Sequence, residues 1–315
     1  MIKVAVSFVL AAAAAVAFAP AAGPPKPIGP GVHLAGVDAT GLDAEQARRM
    51  VDRMFSKPLR FKLGNQKWQV APSQLGAEPL VGDAVSRALR ADDGAAVEVR
   101  VAVDKNRVRR YVAELDRRFR VAPQDARLVG LSGGRPSISE ASWGHAVRQG
   151  TMVAAVTRML RTRIRPRIPV VLRPLKPAVT RARFGPVIVI QRESKQLKLF
   201  DGSRLVRTFA IATGTAQYPT PIGTFSIVDK QRNPWWRPPD SEWAKDAEPI
   251  PPGPGNPLGT RWMGLSAPLV GIHGTPDAAS IGYSASHGCI RMHIPDATWL
   301  FEQVDYGTPV VIVAA

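Results

Sequence analysis

The chain contains a single cysteine, and the residues near it have the types that nucleophilic catalysis by a thiol requires. Cys289 directly follows His287 and Gly288, and His273 lies upstream. A cysteine nucleophile needs a base that takes its proton, donors for the oxyanion that forms on the substrate, and an accessible position. The two histidines are candidate bases, because imidazole titrates near neutral pH. Gly288 has no side chain and would let backbone N–H groups approach an oxyanion closely.

Arg291 and His293 continue the same segment, with different expected roles. If the segment is a strand, Arg291 shares the face of Cys289 and could hold a carboxylate or favour the thiolate. The neighbours of His293 are typical of the start of a helix, so we expect a structural or surface histidine there. Zinc bound by His273, His287, Cys289 and His293 is an alternative, but this spacing matches no common His/Cys zinc signature and no acidic general base adjoins it. We therefore expect no metal and no cofactor.

The amino-terminal segment has the layout of a secretory signal peptide. Lys3 precedes an apolar run at 4–16, and small residues between 17 and 22 offer cleavage sites. Residues 1–22 are predicted to direct export and to be removed, with an uncleaved membrane anchor as the alternative. Exported proteins normally pair their cysteines, so the unpaired Cys289 suggests a reactive thiol, with an inert buried cysteine as an equal alternative until its neighbours are considered.

The positive charge is concentrated in the first half of the chain. The formal net charge is +17; residues 31–178 hold 27 Lys and Arg against 14 Asp and Glu, whereas residues 179–315 hold 13 against 11. Such a surface attracts nucleic acid, anionic lipid head groups or acidic wall polymers, unless it is simply a solvated surface. Export makes nucleic acid a poor candidate, so we expect no nucleic acid partner and name anionic wall polymers as the candidate polyanion.

The residues before the cysteine segment predict two domains. A Pro/Gly linker at 23–31 would precede an α+β domain at 32–178. Helical periodicity predicts helices within 40–55, 81–90, 105–119 and 142–161, and alternation predicts a hairpin over 57–70 and a strand at 97–103. Prolines 166, 169, 174 and 177 mark the boundary between the domains.

Residues 179–315 are predicted to form a mostly-β second domain that carries the thiol. Apolar or alternating segments predict strands at 187–191, 195–200, 205–214 and 223–229. Asp201-Gly202 predicts a hairpin turn, and a helix at 294–304 would precede a last strand at 308–314.

A long segment of this second domain, residues 229–262, has no periodicity. Such a stretch inside a compact domain is usually a lid, a binding loop or disorder. Trp235, Trp236, Trp243 and Trp262 argue against disorder, because four indoles need surfaces to pack on. A lid over the site and a cover for the core of the sheet remain as alternatives.

The cysteine segment closely resembles a known family signature. His273-Gly274-Thr275 followed by Ser286-His287-Gly288-Cys289-Ile290-Arg291 is similar to the motif of the YkuD-type L,D-transpeptidases. The segments TPIGTF (220–225) and PPGPGNPLGTRWMGL (251–265) also look like that family, so the resemblance covers 187–315. Residues 31–178 resemble the YoaR-type peptidoglycan-binding domain. The implied architecture is an α+β domain followed by an L,D-transpeptidase-like β-sandwich.

The resemblance also implies a reaction. Cys289 would attack the carbonyl between the third residue and the D-alanine of a peptidoglycan tetrapeptide stem, with His273 as base. D-alanine would leave, and the thioester would pass to an amine of a neighbouring stem as a 3→3 crosslink. The backbone amides of His287, Gly288 and Cys289 would form the oxyanion hole, supported by Ser286 and Arg291. A carbonyl next to the family's histidine orients its ring, and Gly274 occupies that place.

Several choices stay open within this resemblance. Water as acceptor would give an L,D-carboxypeptidase, and a protein lysine would give an enzyme that anchors proteins to the wall; a wall-binding protein with a degenerate site is the non-enzymatic alternative. Tyr283, Trp262 and Trp236 are the substrate-loop candidates. The expected partners are peptidoglycan stem peptides and anionic wall polymers, the expected location is the cell wall or periplasmic space, and carbapenems are expected to react with the thiol.

Overall fold

A computed structural model of the protein describes residues 26–315, and these residues divide into two compact units. The first unit comprises the described residues up to Phe119 together with Val147–Arg173, and the second comprises Arg120–Ala146 and Pro174–Ala315. The predicted signal peptide lies outside the described residues. Within residues 26–315, no helix is long and apolar enough to cross a membrane.

The first unit mixes short strands with four helices of the described chain. Its strands are β1 (His33–Leu34), β2 (Val37–Asp38), β3 (Leu59–Leu63), β4 (Gln66–Val70), β5 (Ala77–Pro79), β6 (Ala96–Val97) and β7 (Val101–Val103), with β11 (Ile168–Pro169) added later in the chain. Its helices are α1 (Ala44–Phe55), α2 (Val81–Ala88), α3 (Lys105–Phe119) and α4 (Gln149–Leu160). The α+β prediction is confirmed.

Two details of the region predicted as the first domain differ from the sequence prediction. Ile28, in the predicted linker, is 2% exposed and donates its N–H to the carbonyl of Leu42, so the end of the linker belongs to the fold. The helix predicted over 142–161 begins only at Gln149, because Gly144–Val147 is a strand, β10. A Cβ on Gly144 would lie 2.2 Å from the Val121 carbonyl, so the close approach of these two backbones requires glycine there.

A hairpin from the predicted first domain belongs to the second unit. Its strands are β8 (Leu128–Ser132) and β9 (Arg135–Ile138). Leu128 and Leu131 pack against a small cluster formed by Val187, Val189 and Phe200. The strand that follows the boundary is a continuous apolar run, which is typical of a strand buried on both faces and therefore needs cover on both. The second unit thus extends beyond the predicted 179–315.

The second unit is built on one eight-stranded mixed sheet. A short strand, β12 (Leu172–Leu175), lies at the boundary. The strands that follow it in the chain are β13 (Pro186–Gln191), β14 (Gln196–Asp201), β15 (Arg204–Ala210), β16 (Thr213–Gly214), β17 (Gly223–Arg232), β18 (Arg261–Leu265), β19 (Gly271–Thr275), β20 (Ser284–Ser286), β21 (Ile290–His293) and β22 (Pro309–Val313). The order in the sheet is β15-β14-β13-β22-β17-β18-β19-β21, and β16 pairs separately with β20. This confirms the mostly-β prediction.

The sheet bends at β17 and closes over its own core. The first residues of β17 pair with β22, and the residues from Ile227 onward pair with β18, with a register shift between Ile227 and Asp229. One core cluster accordingly joins Ile188 and Leu197 of one half to Met263 and Ile272 of the other. Helix α5 (Ile294–Gln303) packs into the same cluster through apolar side chains such as Leu300.

Of the segment predicted without periodicity, 229–262, both ends belong to β17 and β18, and residues 233–260 between them have an ordered path. Trp236 and Ile250 pair as an isolated bridge, with two backbone hydrogen bonds of 3.0 and 2.9 Å. The side-chain amide of Asn256, 1% exposed, donates to the carbonyls of Pro234, Ile250 and Pro251 at 2.9, 3.2 and 3.1 Å. Its amide oxygen accepts the Leu258 N–H at 2.8 Å. We call residues 233–260 the tryptophan loop.

Candidate active site

Two neighbouring parallel strands position the thiol and the upstream histidine. In the β19–β21 pair, Ile272 lies opposite Ile290 and His273 opposite Arg291. Ile272 and Ile290 are fully buried in the core. Because side chains alternate between the faces of a strand, His273, Arg291 and the preceding Cys289 point to the other face. The thiol, the imidazole and the guanidinium therefore share one surface of the sheet, as the sequence predicts for Arg291.

His273 is held as a neutral ring. It is 4% exposed, and its Nδ1 lies 2.7 Å from the carbonyl oxygen of Gly274. A carbonyl only accepts, so Nδ1 carries the proton and Nε2 keeps a lone pair. Burial lowers the pKa of His273 to about 4; the Gly274 carbonyl opposes this shift and the charge of Arg291 adds to it. The carbonyl that orients the ring is the one that the family resemblance implies.

Cys289 is partly exposed at the start of β21. Its Sγ lies 3.5 Å from the carbonyl oxygen of Leu269, which accepts the thiol proton. Burial raises the pKa of the Cys289 thiol, while the Gly271 backbone and the charge of Arg291 lower it. Because the thiol pKa is raised and the histidine pKa is lowered, the resting pair is a thiol beside a neutral imidazole rather than an ion pair.

The turn before the thiol is clamped by two hydroxyl groups. Ser286 Oγ accepts the N–H of Gly288 at 3.2 Å and donates to the carbonyl of Cys289 at 2.5 Å. The carbonyl of Gly288 accepts a bond of 2.9 Å from Thr220 Oγ1. Gly288 has φ +109, a conformation that side-chain-bearing residues rarely adopt. The Gly288 amide is therefore bonded to Ser286, which differs from the free oxyanion donor that the resemblance implies.

Arg291 contributes charge near the thiol and is itself only 22% exposed in its side chain. Its Nη1 lies 3.6 Å from a carboxylate oxygen of Asp277, and its backbone pairs with Ala212. The Asp277 side chain that holds the guanidinium is more exposed than the Arg291 side chain, at 59%. An incoming carboxylate can compete for such a partner, because the existing pair is long and partly in water.

An open cleft of about 1290 Å³ gives access to these groups. Its lining includes His273, Ser286, His287, Gly288, Cys289 and Arg291 on one side, and Trp235, Trp236 and Trp243 of the tryptophan loop on the other. His287 stacks on Trp243 with ring centroids 4.0 Å apart and planes 10° apart, and it lies 4.9 Å from the ring of Tyr218. Burial, helped by Arg291, lowers the pKa of His287. The loop thus forms a wall of the cleft.

Trp262 forms the floor of the cleft near the histidine. Its indole N–H donates to Asp229 at 3.0 Å, and its ring lies 5.9 Å from that of His273. A Cβ on Gly271 would come within 2.3 Å of the Trp262 ring. Glycine is therefore required at 271 for the indole to lie flat on β19, directly beside the position of the thiol.

The structure brings most of the predicted site residues to one cleft. Cys289, His273, His287, Gly288, Arg291, Ser286, Trp262 and Trp236 all line it. Tyr283 is 67% exposed and, like His293, is absent from the described residues that line the cleft. Tyr283 as a substrate-loop candidate therefore stays a prediction, at an exposed position just before β20 and outside the cleft lining. Within residues 26–315, no group of three or more His, Cys, Asp or Glu side chains could hold a metal ion.

Three contributors to the site do not follow from the sequence motif. Thr220 belongs to a segment quoted for its resemblance, but the bond from its hydroxyl to Gly288 spans 68 positions and cannot be inferred from spacing. Tyr218 and Trp243 contact His287 only because two separate loops meet over it. The nearest sequence signal for Trp243 is the abundance of tryptophan between 235 and 262, and Tyr218 has no such signal.

Comparison with known proteins finds family matches in two parts of the chain. Residues 185–312 match the YkuD family, described as the L,D-transpeptidase catalytic domain. Residues 68–168 match the family described as "Putative peptidoglycan binding domain". Among solved structures, the chain is similar to the catalytic domain from the E. faecium L,D-transpeptidase, with 24% identity, a TM-score of 0.33 and coverage of 41% of this chain and 96% of that one. An L,D-transpeptidase from Mycobacterium smegmatis has 14% identity, a TM-score of 0.37 and coverage of 69% and 89%.

Curated relatives carry the same family name. The chain is 33% identical over 132 residues to the Bacillus subtilis protein named "Putative L,D-transpeptidase YqjB", covering 40% of this chain and 70% of that protein. It is 38% identical over 125 residues to "Putative L,D-transpeptidase YkuD" of Bacillus licheniformis, covering 40% of this chain and 64% of that protein. With the thiol, the histidine and the glycine turn in one cleft of the matched region, the chain belongs to the L,D-transpeptidase family.

Proposed function

We propose that the protein is a peptidoglycan L,D-transpeptidase in which Cys289 is the nucleophile and His273 the general base. The observation that carries the proposal is the β19–β21 pair, in which His273 and Arg291 lie opposite each other and share a face with Cys289. The bond from His273 Nδ1 to Gly274 leaves Nε2 as the proton acceptor that a thiol nucleophile requires.

Acylation begins when Nε2 of His273 takes the proton of the Cys289 thiol. The sulfur attacks the carbonyl carbon between the third residue of a tetrapeptide stem and its D-alanine. The carbonyl oxygen becomes an oxyanion that backbone N–H groups near Gly288 stabilise; a donor of this kind is worth about 3 kcal/mol in related sites. Collapse of the intermediate breaks the C–N bond, His273 returns the proton to the leaving amine, and D-alanine departs from a thioester.

Transfer then regenerates the thiol. The amine of a neighbouring stem attacks the thioester carbonyl, His273 takes a proton from that amine, and the C–S bond breaks. The proton returns to sulfur, and a new amide remains as the 3→3 crosslink. One amide is exchanged for another through a thioester, so the chemistry needs no nucleoside triphosphate, which suits a site outside the cytoplasm.

The size of the cleft supports an acceptor larger than water. Pockets for one small ligand are typically about 300–1000 Å³, whereas this cleft has about 1290 Å³ and is open to solvent. A donor stem and an acceptor stem need more space than a single ligand. Aromatic walls formed by Trp236, Trp243 and Tyr218 would pack against both peptides. Arg291 would hold a carboxylate of the donor or stabilise the thiolate as it forms.

The first unit supplies a second contact with the wall in this proposal. Residues 68–168, most of which lie in this unit, match a peptidoglycan binding family, and residues 31–119 and 147–173 hold 23 Lys and Arg against 12 Asp and Glu; both features support binding to peptidoglycan and to anionic wall polymers. The protein would act in the cell wall or periplasmic space, with residues 1–22 as its export signal. Functionally, we assign the catalytic part to the whole second unit, including the hairpin of β8 and β9.

A carbapenem tests the proposed nucleophile. A carbapenem acylates a reactive nucleophile by opening its lactam, so the native protein should gain the mass of one inhibitor on Cys289, measured on the intact protein and by peptide mapping. Cys289→Ala should gain none. Chelators should leave the reaction unchanged, which also tests the zinc alternative. Labelling of another residue, or of Cys289→Ala at the native rate, would refute the assignment.

A further inference from the structure

The side chain of Thr220 joins two separate backbone segments beneath the active-site turn. Its hydroxyl accepts the N–H of Gly214 at 2.8 Å and donates to the carbonyl of Gly288 at 2.9 Å. Thr220 is 0% exposed, so both bonds are made away from water. A buried hydroxyl with one donor and one acceptor partner has a defined orientation, because rotating it would break either bond.

The bond to Gly288 fixes a peptide group that carries the thiol residue. The carbonyl of Gly288 and the N–H of Cys289 belong to the same planar peptide, where they point in opposite directions. Holding this carbonyl toward the buried Thr220 therefore turns the Cys289 N–H away from it. Gly288 has φ +109 and no side chain to restrict rotation, so this peptide needs an external partner to fix it.

Ser286 fixes the peptides on either side but not this one. Its hydroxyl accepts the Gly288 N–H, which belongs to the preceding peptide, and donates to the Cys289 carbonyl, which belongs to the following peptide. Three consecutive peptides of the turn are thus held, the central one by Thr220. Since Ser286 occupies the Gly288 N–H, the Cys289 N–H is the amide of this turn that Thr220 leaves directed away from the interior.

We propose that Thr220 is a positioning residue, whose hydroxyl holds the Gly288–Cys289 peptide so that the Cys289 N–H stabilises the oxyanion of the acylation step. The proposal rests on the proposed function and adds to it a residue that never touches the substrate. It separates two properties of the site: the nucleophilicity of the thiol, which depends on His273, and the stabilisation of the oxyanion, which depends on Thr220.

The test uses two reagents on the full-length protein. A carbapenem reacts through an oxyanion, whereas iodoacetamide alkylates a thiol by direct displacement and forms none. Thr220→Val keeps the shape of the side chain and removes the hydroxyl, so its maximal acylation rate should fall about 10- to 100-fold, somewhat less than for the complete loss of an oxyanion donor. The apparent binding constant for the carbapenem and the rate of alkylation of Cys289 should stay within about threefold. Thr220→Ser should recover most of the acylation rate.

Thr308→Val is the matched control. Thr308 is 5% exposed, lies in the same unit outside the cleft lining, and accepts the N–H of Asp305 at 2.9 Å. It should lower the melting temperature as Thr220→Val does but leave acylation unchanged. If Thr220→Val does not fold, Thr220→Ala takes its place, and the serine variant should still acylate faster than the alanine variant.

Three outcomes would overturn the inference. Acylation of folded Thr220→Val or Thr220→Ala at the native rate would show that the hydroxyl is not needed. Equal loss of acylation and alkylation in Thr220→Val would mean that the substitution damages the thiol rather than the oxyanion site. A Thr220→Ser variant that does not recover the acylation rate would exclude the hydroxyl as the cause. A native protein that iodoacetamide alkylates but a carbapenem does not acylate would instead refute the proposed function, and the role of Thr220 with it.

Discussion

At the scale of residues, the site combines a thiol of raised pKa with a histidine of lowered pKa. The motif from Ser286 to Arg291 points to Cys289 and its neighbours without a structure, because it closely resembles the signature of the family. The protonation state of His273 cannot be read from sequence. It depends on the burial of the ring, which lies against the indole of Trp262 from β18, and on the bond from Nδ1 to the Gly274 carbonyl.

The lowered pKa of His273 predicts an acid-tolerant reaction. His273 stays neutral until the pH falls to about 4, so the maximal rate of acylation by a carbapenem should stay level from pH 8 to near pH 5 and fall below that. His273→Gln should reduce this rate about 100-fold or more at pH 7, as expected for the loss of a general base. His293→Ala, the control, should keep most of the rate. A profile that already falls with an apparent pKa of 6.5 would contradict the buried neutral ring.

The lowered pKa of His273 also makes the protein less stable at acid pH. Between the unfolded pKa of 6.5 and the folded pKa of about 4, the unfolded chain binds a proton that the native chain does not. The free energy of unfolding therefore has its full value with respect to His273 above pH 6.5. It decreases as the pH falls toward 4, by about 3 kcal/mol at most. Urea unfolding at pH 7 and pH 4.5 should show a smaller loss for His273→Gln than for the native protein. Equal losses would argue against this role of His273.

At the scale of elements, the tryptophan loop and the β19–β21 pair form opposite sides of the cleft. The sequence predicts that Arg291 shares the face of Cys289 only on the condition that their segment is a strand, and it predicts no strand around His273. It leaves the loop undecided between a lid and a cover of the core, since a segment without periodicity carries no local signal of its path. The path is set by Asn256, because its side-chain amide donates hydrogen bonds to the carbonyls of both Pro234 and Ile250.

Asn256→Ala should loosen the tryptophan loop and weaken binding more than chemistry. The change removes the hydrogen bonds to Pro234, Ile250, Pro251 and Leu258, and each typically contributes about 1 kcal/mol. We expect faster tryptic cleavage after Lys245 and several-fold weaker carbapenem binding, with the maximal acylation rate nearly unchanged. Asn106→Ala, which alters an exposed side chain of the first unit, is the control. Native protease resistance and affinity in Asn256→Ala would contradict the role given to the loop.

At the scale of the whole molecule, the second unit includes a hairpin that the sequence assigns to the first. The proline-rich stretch at 166–177 predicts a boundary from composition, but it does not reveal that residues 120–146 lie in the other unit. The need for a second cover follows from the run Val187–Val189, in which every side chain is buried. Side chains of this strand point to both faces, and a single core covers only one of them. Which segment supplies the second cover is a long-range contact that periodicity cannot predict.

The hairpin should therefore stabilise the catalytic part. Leu131 packs against the cluster of Val187, Val189 and Phe200, whereas Val129 of the same strand is 65% exposed. Leu131→Asp places a charge against that apolar face and should destabilise the second unit by about 1–3 kcal/mol. Val129→Asp should change stability by less than about 0.5 kcal/mol. Equal unfolding midpoints for the two variants in urea would contradict the packing role of the hairpin.

The central claim is transfer of a stem peptide through Cys289, and mass spectrometry of the reaction with a purified disaccharide-tetrapeptide tests it most directly. In the presence of an acceptor stem, we expect a product that has lost D-alanine and gained a second stem through a 3→3 bond, formed by the native protein and not by Cys289→Ala. A tripeptide as the only product would identify a carboxypeptidase. The absence of both products, with Cys289 still acylated by a carbapenem, would contradict the proposed donor.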